Sequence, residues 1–174
     1  MSRWLAFLPL ALLAGLAVLF VGWSLKRDPD FKPDALVGKP LPPVALAPLA
    51  GGPPQPLTVT VRGPALVNIF ASWCAPCRIE HPELMRLKRQ GVRIVGIAWR
   101  DKPDNSRAFL AELGDPFALA LTDEAGASGV ELGIAGVPET YAVDARGVIV
   151  AKHAGHLDQA AADRLVAALQ ASAR

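Results

Sequence analysis

Cysteine is nearly missing from this 174-residue sequence: it occurs only at Cys74 and Cys77, within the stretch FASWCAPCRIEHPEL (70–84). The chain also lacks a strong charge excess, because 18 Lys and Arg stand against 16 Asp and Glu, which leaves a formal net charge of +2. Basic residues scattered among acidic ones do not form the basic surface of a nucleic-acid-binding protein, and that class is excluded. The length allows one ordinary soluble domain with its own core.

Charge is absent altogether from Trp4 to Leu25, a run of 22 residues. As a helix this run is about 33 Å long, enough for a hydrocarbon core of roughly 30 Å. We therefore predict a transmembrane anchor at 4–25, with a short terminus at 1–3 before it and a tether at 26–35 after it. A cleaved signal peptide is an alternative, but it has a shorter apolar region and a small-x-small site. A buried core helix is the other, but it needs a polar face.

Proline is concentrated in the next segment, where ten of the sixteen prolines fall between Lys26 and Pro64. Such clusters form neither an uninterrupted helix nor a central strand. The segment is predicted to be a tether and a leading loop, with at most short edge strands at 43–49 and 57–61. The packed body is expected to begin near Pro64.

Short apolar runs alternate with helix-like segments beyond Pro64. Two runs predict buried strands, 65–71 and 92–99, and a third, 117–122, predicts another strand or an extended segment. Two more predict an antiparallel hairpin around the turn at 145–147: 140–144 and 148–153. Helices are predicted at 74–90, ended by Gly91, at 105–113, and from an Asp158 N-cap to about 171. The inner face of the second helix is expected to consist of Ala108, Phe109 and Leu113.

Two cysteines three positions apart can be a staple, a pair of metal ligands or a redox couple. A structural bridge over four residues stabilises a fold by only about 1.9 kcal/mol, against about 4.7 for a hundred-residue loop. Structural zinc needs four cysteine or histidine ligands, and the three histidines are scattered: His81, His153 and His156. We expect each histidine to be a surface or hydrogen-bonded residue, while a copper or zinc site remains a poorly supported alternative.

The redox interpretation has a mechanism in the neighbouring residues. Cys74 follows a buried strand and begins a helix, where free backbone N–H groups and the helix dipole stabilise a thiolate. A fall of its pKa from about 8.5 to about 7 would raise the thiolate fraction at neutral pH from a few per cent to about half. Cys77 would resolve a mixed disulfide, and Pro76 stiffens the first turn without losing a hydrogen bond. The interpretation requires Cys74 to lie open to an incoming polypeptide.

The motif WCAPC after a buried strand resembles the thioredoxin superfamily. Four longer strings resemble the membrane-anchored CcmG/DsbE proteins of cytochrome c maturation, in the TlpA-like branch: WCAPCRIEHP, GIAWRDKPDNSRAFLAELG, GIAGVPETYAVD and GVIVAKHAGHLD. The resemblance covers the chain from about Leu36 to the last helix, so the domain is placed at 36–174. It implies an α/β thioredoxin-like fold, a central mixed sheet flanked by helices with a central insertion, preceded by one N-terminal transmembrane helix.

The resemblance also assigns residues to the site. It implies catalytic roles for Cys74 and Cys77. It implies supporting roles for Trp73, which precedes the first cysteine, and for Pro76, which lies between the two. It further implies a cis peptide between Val137 and Pro138, packed against the cysteines, where the Val137 carbonyl would offer an edge to an extended substrate.

Acidic residues form a second group that the resemblance places around the site. Thioredoxin has a buried aspartate six residues before its first cysteine; here that position is Asn68, which cannot titrate. The maturation branch instead has acidic residues, which correspond to Glu80 and Glu139, and either could equally be a solvated surface carboxylate. A nearby carboxylate opposes thiolate formation but can accept the proton of Cys77. Three residues beside the expected groove are weaker candidates, read more simply as a strand end and loop: Trp99, Arg100 and Asp101.

The function implied by the resemblance is a membrane-anchored periplasmic thiol-disulfide oxidoreductase without metal or other cofactor. Cys74 is expected to reduce the disulfide in the CxxCH haem-attachment segment of an apocytochrome c, and a membrane electron donor of the DsbD/CcdA type to re-reduce the enzyme. The charges that flank the anchor leave its orientation open; the resemblance places the N-terminus in the cytoplasm of a bacterium and the domain, a monomer, in the periplasm. The alternatives are a less specific extracytoplasmic reductase and a module that holds apocytochrome or copper without turnover.

Overall fold

The computed structural model describes residues 8–24 and 35–172, which belong to two separate compact units. The first contains one helix, α1 (Leu8–Ser24), which confirms the predicted helix over 17 residues. The remaining positions of the predicted anchor, the terminus at 1–3 and nearly all of the tether at 26–35 lie outside the described residues. Within the described ranges, no helix combines the length and apolarity that crossing a membrane requires.

The second unit is built on a seven-stranded mixed sheet with the order β2-β1-β5-β4-β3-β6-β7. Its strands are β1 (Ala45–Pro48), β2 (Gln55–Pro56), β3 (Ala65–Phe70), β4 (Ile94–Trp99), β5 (Leu119–Asp123), β6 (Glu139–Val143) and β7 (Ile149–Ala154). The central strands β3, β4 and β5 are parallel, and β6 pairs antiparallel with β3 and β7. The predicted central strands and the C-terminal hairpin are confirmed.

Five helices accompany the sheet: α2 (Leu57–Thr60), α3 (Ala75–Arg89), α4 (Pro103–Leu113), α5 (Ala127–Glu131) and α6 (Gln159–Ser172). The end of α3 follows the prediction, because Gly91 has a φ of +81°, a conformation that costs glycine little. The start of α6 does too, since Asp158 Oδ1 accepts the N–H of Ala161 at 2.7 Å, as an N-cap carboxylate does.

Alternate residues of β3 supply two apolar cores, one on each face of the sheet. Leu66 and Phe70 pack with α3, α4 and α6. Val67 and Ile69 pack instead with the segment before β3 and with Leu132. Asn68 lies on the first face, and so a polar side chain enters the core beneath α3.

The segment before β3, residues 36–64, is packed against the sheet and is part of the domain. Gly38–Leu41 forms backbone hydrogen bonds with the edge of β7, and β1 adds to the other side of the sheet through β5. Leu41, Leu46 and Leu57 are buried. The expectation that the packed body begins near Pro64 is therefore wrong, because these leucines cover the second face.

One further local prediction fails, and another is correct only in part. The edge strand expected at 57–61 is instead one helical turn, in which Leu57 is buried and the Thr60 hydroxyl donates back to the Pro56 carbonyl. In α4, Ser106, Phe109 and Leu110 are buried whereas Ala108 is exposed. Of the predicted inner face, Phe109 is confirmed and Leu113 packs against the core while partly buried, whereas Ala108 is wrong. The Ser106 hydroxyl is buried because it donates to Asp101.

Candidate active site

Cys74 and Cys77 form a disulfide at the start of α3, with an S–S distance of 2.06 Å. Cys74 is the N-cap residue, and its Sγ accepts the backbone N–H of Cys77 at 3.1 Å. Pro76 lies in the first turn, where its missing N–H costs nothing. A thiolate at Cys74 would receive that N–H and the positive end of the helix dipole, which favour the ionised form.

Both cysteines are nearly buried in this oxidised form: Cys74 is 3% exposed and Cys77 is 2% exposed. The expectation that Cys74 lies open to a polypeptide is therefore wrong for the disulfide state. The physical reason is that the disulfide belongs to the apolar core under α3. The adjacent Trp73, in contrast, is 58% exposed and presents its indole to solvent.

A buried carboxylate lies one helical turn beyond the disulfide. Glu80, only 1% exposed, is three residues after Cys77 on α3, and side chains at this spacing are neighbours on a helix. Its Oε1 accepts from Asn68 Nδ2 at 2.8 Å, and its Oε2 accepts from the Leu157 N–H at 2.8 Å. Burial raises the pKa of Glu80 to about 7, against the two hydrogen bonds, which lower it. Glu80 is thus no solvated surface carboxylate.

Asn68 connects that carboxylate to β6. Its Nδ2 also donates to Thr140 Oγ1 at 3.0 Å, and the two residues face each other across the strand pair. The Oδ1 atom of Asn68 is buried without a hydrogen-bond partner in the described structure. The position that is a titrating aspartate in thioredoxin therefore holds a neutral donor that contacts a glutamate.

Glu139 lies on the opposite face of the sheet from Glu80. It precedes Thr140 on β6, so its side chain alternates to the second core, where it contacts Tyr141. Its Oε2 pairs with Lys152 Nζ at 2.9 Å, and both side chains are buried. Glu139 is not a surface carboxylate either, and the two acidic candidates do not form one cluster.

The peptide bond between Val137 and Pro138 is cis, as the resemblance implies. Val137 packs against the core that contains Cys74 and Cys77 and also against the core on the other face. The carbonyl of Pro138 accepts the N–H of Gly155 at 2.9 Å. Val137 thus shares a core with the two cysteines, while Pro138 is tied by its carbonyl to the end of β7.

The loop after β4 holds the Cys–x–x–Cys segment in place. Buried Asp101 accepts from the Ser72 N–H at 2.7 Å, from the Ser72 hydroxyl at 2.9 Å and from the Ser106 hydroxyl at 2.7 Å. The Arg100 carbonyl accepts from Trp73 Nε1 at 3.1 Å. Trp99, Arg100 and Asp101 lie at the end of β4 and in the loop after it, as predicted. Arg100 and Asp101 contact the active-site segment.

The three histidines are surface or hydrogen-bonded residues, as expected: His156 is exposed, and the other two form hydrogen bonds through their rings. His81 is buried with Nε2 2.9 Å from the Gly114 carbonyl, and His153 Nε2 lies 3.0 Å from the His156 carbonyl. In the described part of the chain, no group of three or more His, Cys, Asp or Glu side chains could hold a metal ion.

Sequence reasoning missed several residues that complete the site. Thr140 and the Leu157 N–H were not considered, and neither was the Lys152–Tyr141 pair that holds Glu139. Lys152 stands opposite Tyr141 because the register of the hairpin shifts between Ala142 and Val143, and the sequence pattern did not indicate that shift. The approach of Leu157 to Glu80 joins positions 77 residues apart, and no local pattern signals it.

A mixed sheet, a Cys–x–x–Cys disulfide at a helix N-terminus and a cis-proline before an antiparallel strand together define a thiol-disulfide oxidoreductase. Comparison with known proteins agrees. The Redoxin family matches residues 36–169. The chain is 43% identical to the thiol:disulfide interchange protein HelX of Rhodobacter capsulatus over 91% of each chain. It is 42% identical to the thiol:disulfide interchange protein DsbE of Pseudomonas fluorescens, over 98% of this chain and 96% of the relative.

Solved structures give the same result. The thio-disulfide isomerase of Thermus thermophilus superimposes with a TM-score of 0.62 at 30% identity, over 76% of this chain and 96% of the other. This confirms the thioredoxin-like fold. The chain belongs to the Redoxin family and, within it, to the DsbE/HelX thiol:disulfide interchange proteins.

Proposed function

We propose that this chain is a membrane-anchored reductase of apocytochrome c, which reduces the disulfide of the CxxCH haem-attachment segment in the bacterial periplasm. The observation that carries the proposal is the Cys74–Cys77 disulfide at the α3 N-terminus, set in the sequence strings that resemble the CcmG/DsbE proteins. The segment between β4 and β6, with α4 and α5, corresponds to the central insertion of that branch.

The exchange takes two steps. The Cys74 thiolate attacks one sulfur of the substrate disulfide, which breaks that S–S bond, forms a mixed disulfide and releases a substrate thiolate. The Cys77 thiolate then attacks Cys74 Sγ, so the second substrate thiolate leaves and the enzyme disulfide forms. Two electrons pass to the substrate. A dithiol donor of the DsbD/CcdA type in the membrane returns two electrons to the enzyme.

Glu80 takes the proton that Cys77 must lose before the second step. Its place one turn after Cys77 and its pKa of about 7 suit a group that exchanges a proton near neutral pH. Glu139 has no part in this proton transfer, because it lies on the other face of the sheet and is paired with Lys152.

The anchor belongs to the proposal as well. Helix α1 carries no charged residue, and its apolar side chains at Leu12, Leu16 and Phe20 are exposed, as lipid-facing side chains would be. With the flanking apolar residues of the sequence, the run reaches about 33 Å as a helix. Resistance of the protein to extraction from membranes by alkaline carbonate is the expected result.

A deletion strain tests the function. Loss of the gene is expected to abolish haem attachment to c-type cytochromes, and an added small thiol is expected to restore it. A plasmid copy with Cys77→Ser should accumulate apocytochrome joined to Cys74 by a disulfide, whereas Cys74→Ser should trap nothing. Normal haem attachment in the deletion strain without added thiol would refute the role.

The alternatives give different results in the same strains. A general reductase would trap many unrelated proteins on the Cys77→Ser variant. A holder without turnover would bind apocytochrome equally well with either cysteine replaced.

A further inference from the structure

A buried ion pair on the second face of the sheet has no part in the exchange chemistry described so far. Lys152 Nζ lies 2.9 Å from Glu139 Oε2, and the side chains are only 8% and 1% exposed. Moving two charges from water into a core costs about as much as their attraction returns, so a buried pair is weak evidence for stability. We therefore ask which neighbouring backbone segment the ion pair holds in position.

The pair fixes the carboxylate rather than the lysine. Glu139 Oε1 accepts the Ala135 N–H at 3.2 Å, while Oε2 lies 2.8 Å from the Tyr141 hydroxyl. That hydroxyl is also 3.0 Å from the Leu132 carbonyl, and its single proton serves only one acceptor at a time. Lys152, which also lies over the Tyr141 ring at 5.1 Å, is thus a cationic partner of Oε2 whichever acceptor the tyrosine proton serves.

The carboxylate in turn holds the segment 132–138. This segment contains two glycines, and Gly133 has a φ of +60°, so its backbone has little intrinsic stiffness. The Glu139–Ala135 hydrogen bond ties its middle to β6. Two residues further on, Val137 packs against the core that contains the disulfide. A shift of this segment would move Val137 and with it part of the packing of the core to which Cys74 belongs.

We infer that Lys152 is a positioning residue for disulfide exchange, which acts through Glu139 to hold the backbone at 135–138 where an extended polypeptide substrate lies. The inference deepens the proposed function and rests on it for the identity of that polypeptide. A small disulfide, which needs no extended backbone partner, does not depend on Lys152.

The test uses the full-length reduced protein in detergent and a CxxCH peptide with an intramolecular disulfide. Single-turnover oxidation of the enzyme is followed against peptide concentration. Lys152→Met is expected to raise the half-saturating peptide concentration about tenfold, with the maximal rate changed less than about threefold. The second-order rate with hydroxyethyl disulfide should stay within about threefold of the unmodified protein, and Lys152→Arg should restore peptide saturation.

Two further variants separate positioning from folding. Glu139→Gln should reproduce the peptide effect, and the double variant should be no worse than either single one, since both break the same contact. Lys39→Met removes an exposed charge elsewhere and is the matched control. If Lys152→Met does not fold, Glu139→Gln carries the test alone.

Three results would overturn the inference: peptide saturation in Lys152→Met within twofold of the unmodified protein, an equal loss with the peptide and the small disulfide, or strictly additive effects in the double variant. Failure of the unmodified protein to reduce the CxxCH peptide would instead refute the proposed function. These outcomes are distinguishable in one set of measurements.

Discussion

Asn68 donates a hydrogen bond from its Nδ2 to Glu80 Oε1 at 2.8 Å, so a neutral amide holds the buried carboxylate beneath the disulfide. An aspartate at position 68 would place two carboxylates in contact, and they would share one proton. The amide avoids this coupling and leaves Glu80 to titrate alone. Asn68 Oδ1 has no hydrogen-bond partner in the described structure. When Glu80 is protonated, a 180° flip of the Asn68 amide would let Oδ1 accept the carboxyl O–H.

Glu80 makes the stability of the oxidised protein depend on pH. Its folded-state pKa of about 7 lies above its ordinary value of 4.5, so its contribution is complete below pH 4.5 and is lost as the pH rises through 7. Between pH 5 and pH 8 the free energy of unfolding should fall by about 2–3 kcal/mol through this group. Urea denaturation at both pH values measures the fall.

Glu80→Gln should abolish that fall, and Glu131→Gln, an exposed position, should leave it unchanged. The compared quantity is the difference in unfolding free energy between each variant and the unmodified protein. This is necessary because burial lowers the pKa of His81, so His81 makes the protein less stable as the pH falls. An equal pH dependence in Glu80→Gln and the unmodified protein would contradict the assignment.

Resolution of the mixed disulfide should require ionised Glu80. We expect the rate of attack by Cys77 to rise with pH through an inflection near 7, where the carboxylate becomes able to accept the thiol proton. In Glu80→Gln the inflection should vanish and the rate at pH 7 should fall about 100-fold. Rapid quench of a preformed mixed disulfide gives the rate, and a loss below threefold would exclude Glu80 as the acceptor.

Asp101 should stabilise the active-site segment. Asp101→Ala leaves the Ser72 N–H and the Ser106 hydroxyl without their acceptor, which should cost about 2 kcal/mol of unfolding free energy. Hydrogen exchange at the Ser72 amide should speed up by more than global unfolding explains. Glu124→Ala, at an exposed position directly after β5, is the control, and equal stabilities of the two variants would refute the role.

Gly96 is required by the ring of Phe117. A Cβ at position 96 would lie 2.6–2.8 Å from three ring atoms, so Gly96→Ala should destabilise the domain by about 1–3 kcal/mol through overpacking. Phe117→Leu should make the added methyl less costly, so the double variant should lose less than the sum of the singles. Gly136→Ala, with open space around its Cβ, should change stability little.

The sequence predicts the central strands, α3 and α6 well, because each signal there is local. β3 is apolar at every position except Asn68, Gly91 ends α3, and Asp158 caps α6. The single turn at Leu57–Thr60 is mispredicted because three of its four residues have strand propensity, and burial of Leu57 overrides that preference. Tertiary contacts, rather than periodicity, decide such short elements.

The site is predicted in part for a similar reason. The cysteines and Pro138 are recognisable from motifs, but the surroundings of the two glutamates depend on long-range contacts. Glu80 meets Asn68 and Leu157 only in the folded domain, and strand alternation sends Glu139 to the other face. A motif gives the identity of an acidic residue, whereas the fold sets its burial and hence its acid strength.

The segment before β3 touches both margins of the sheet: Gly38–Leu41 lies along β7 at one end, and β1 extends the opposite end through β5. The segment therefore covers backbone N–H and C=O groups at both edges of the sheet and keeps them from pairing with other protein chains. A truncated soluble domain must therefore begin before Gly38. Truncation to Pro64 would expose both sheet edges, and exposed edges promote aggregation by pairing between molecules.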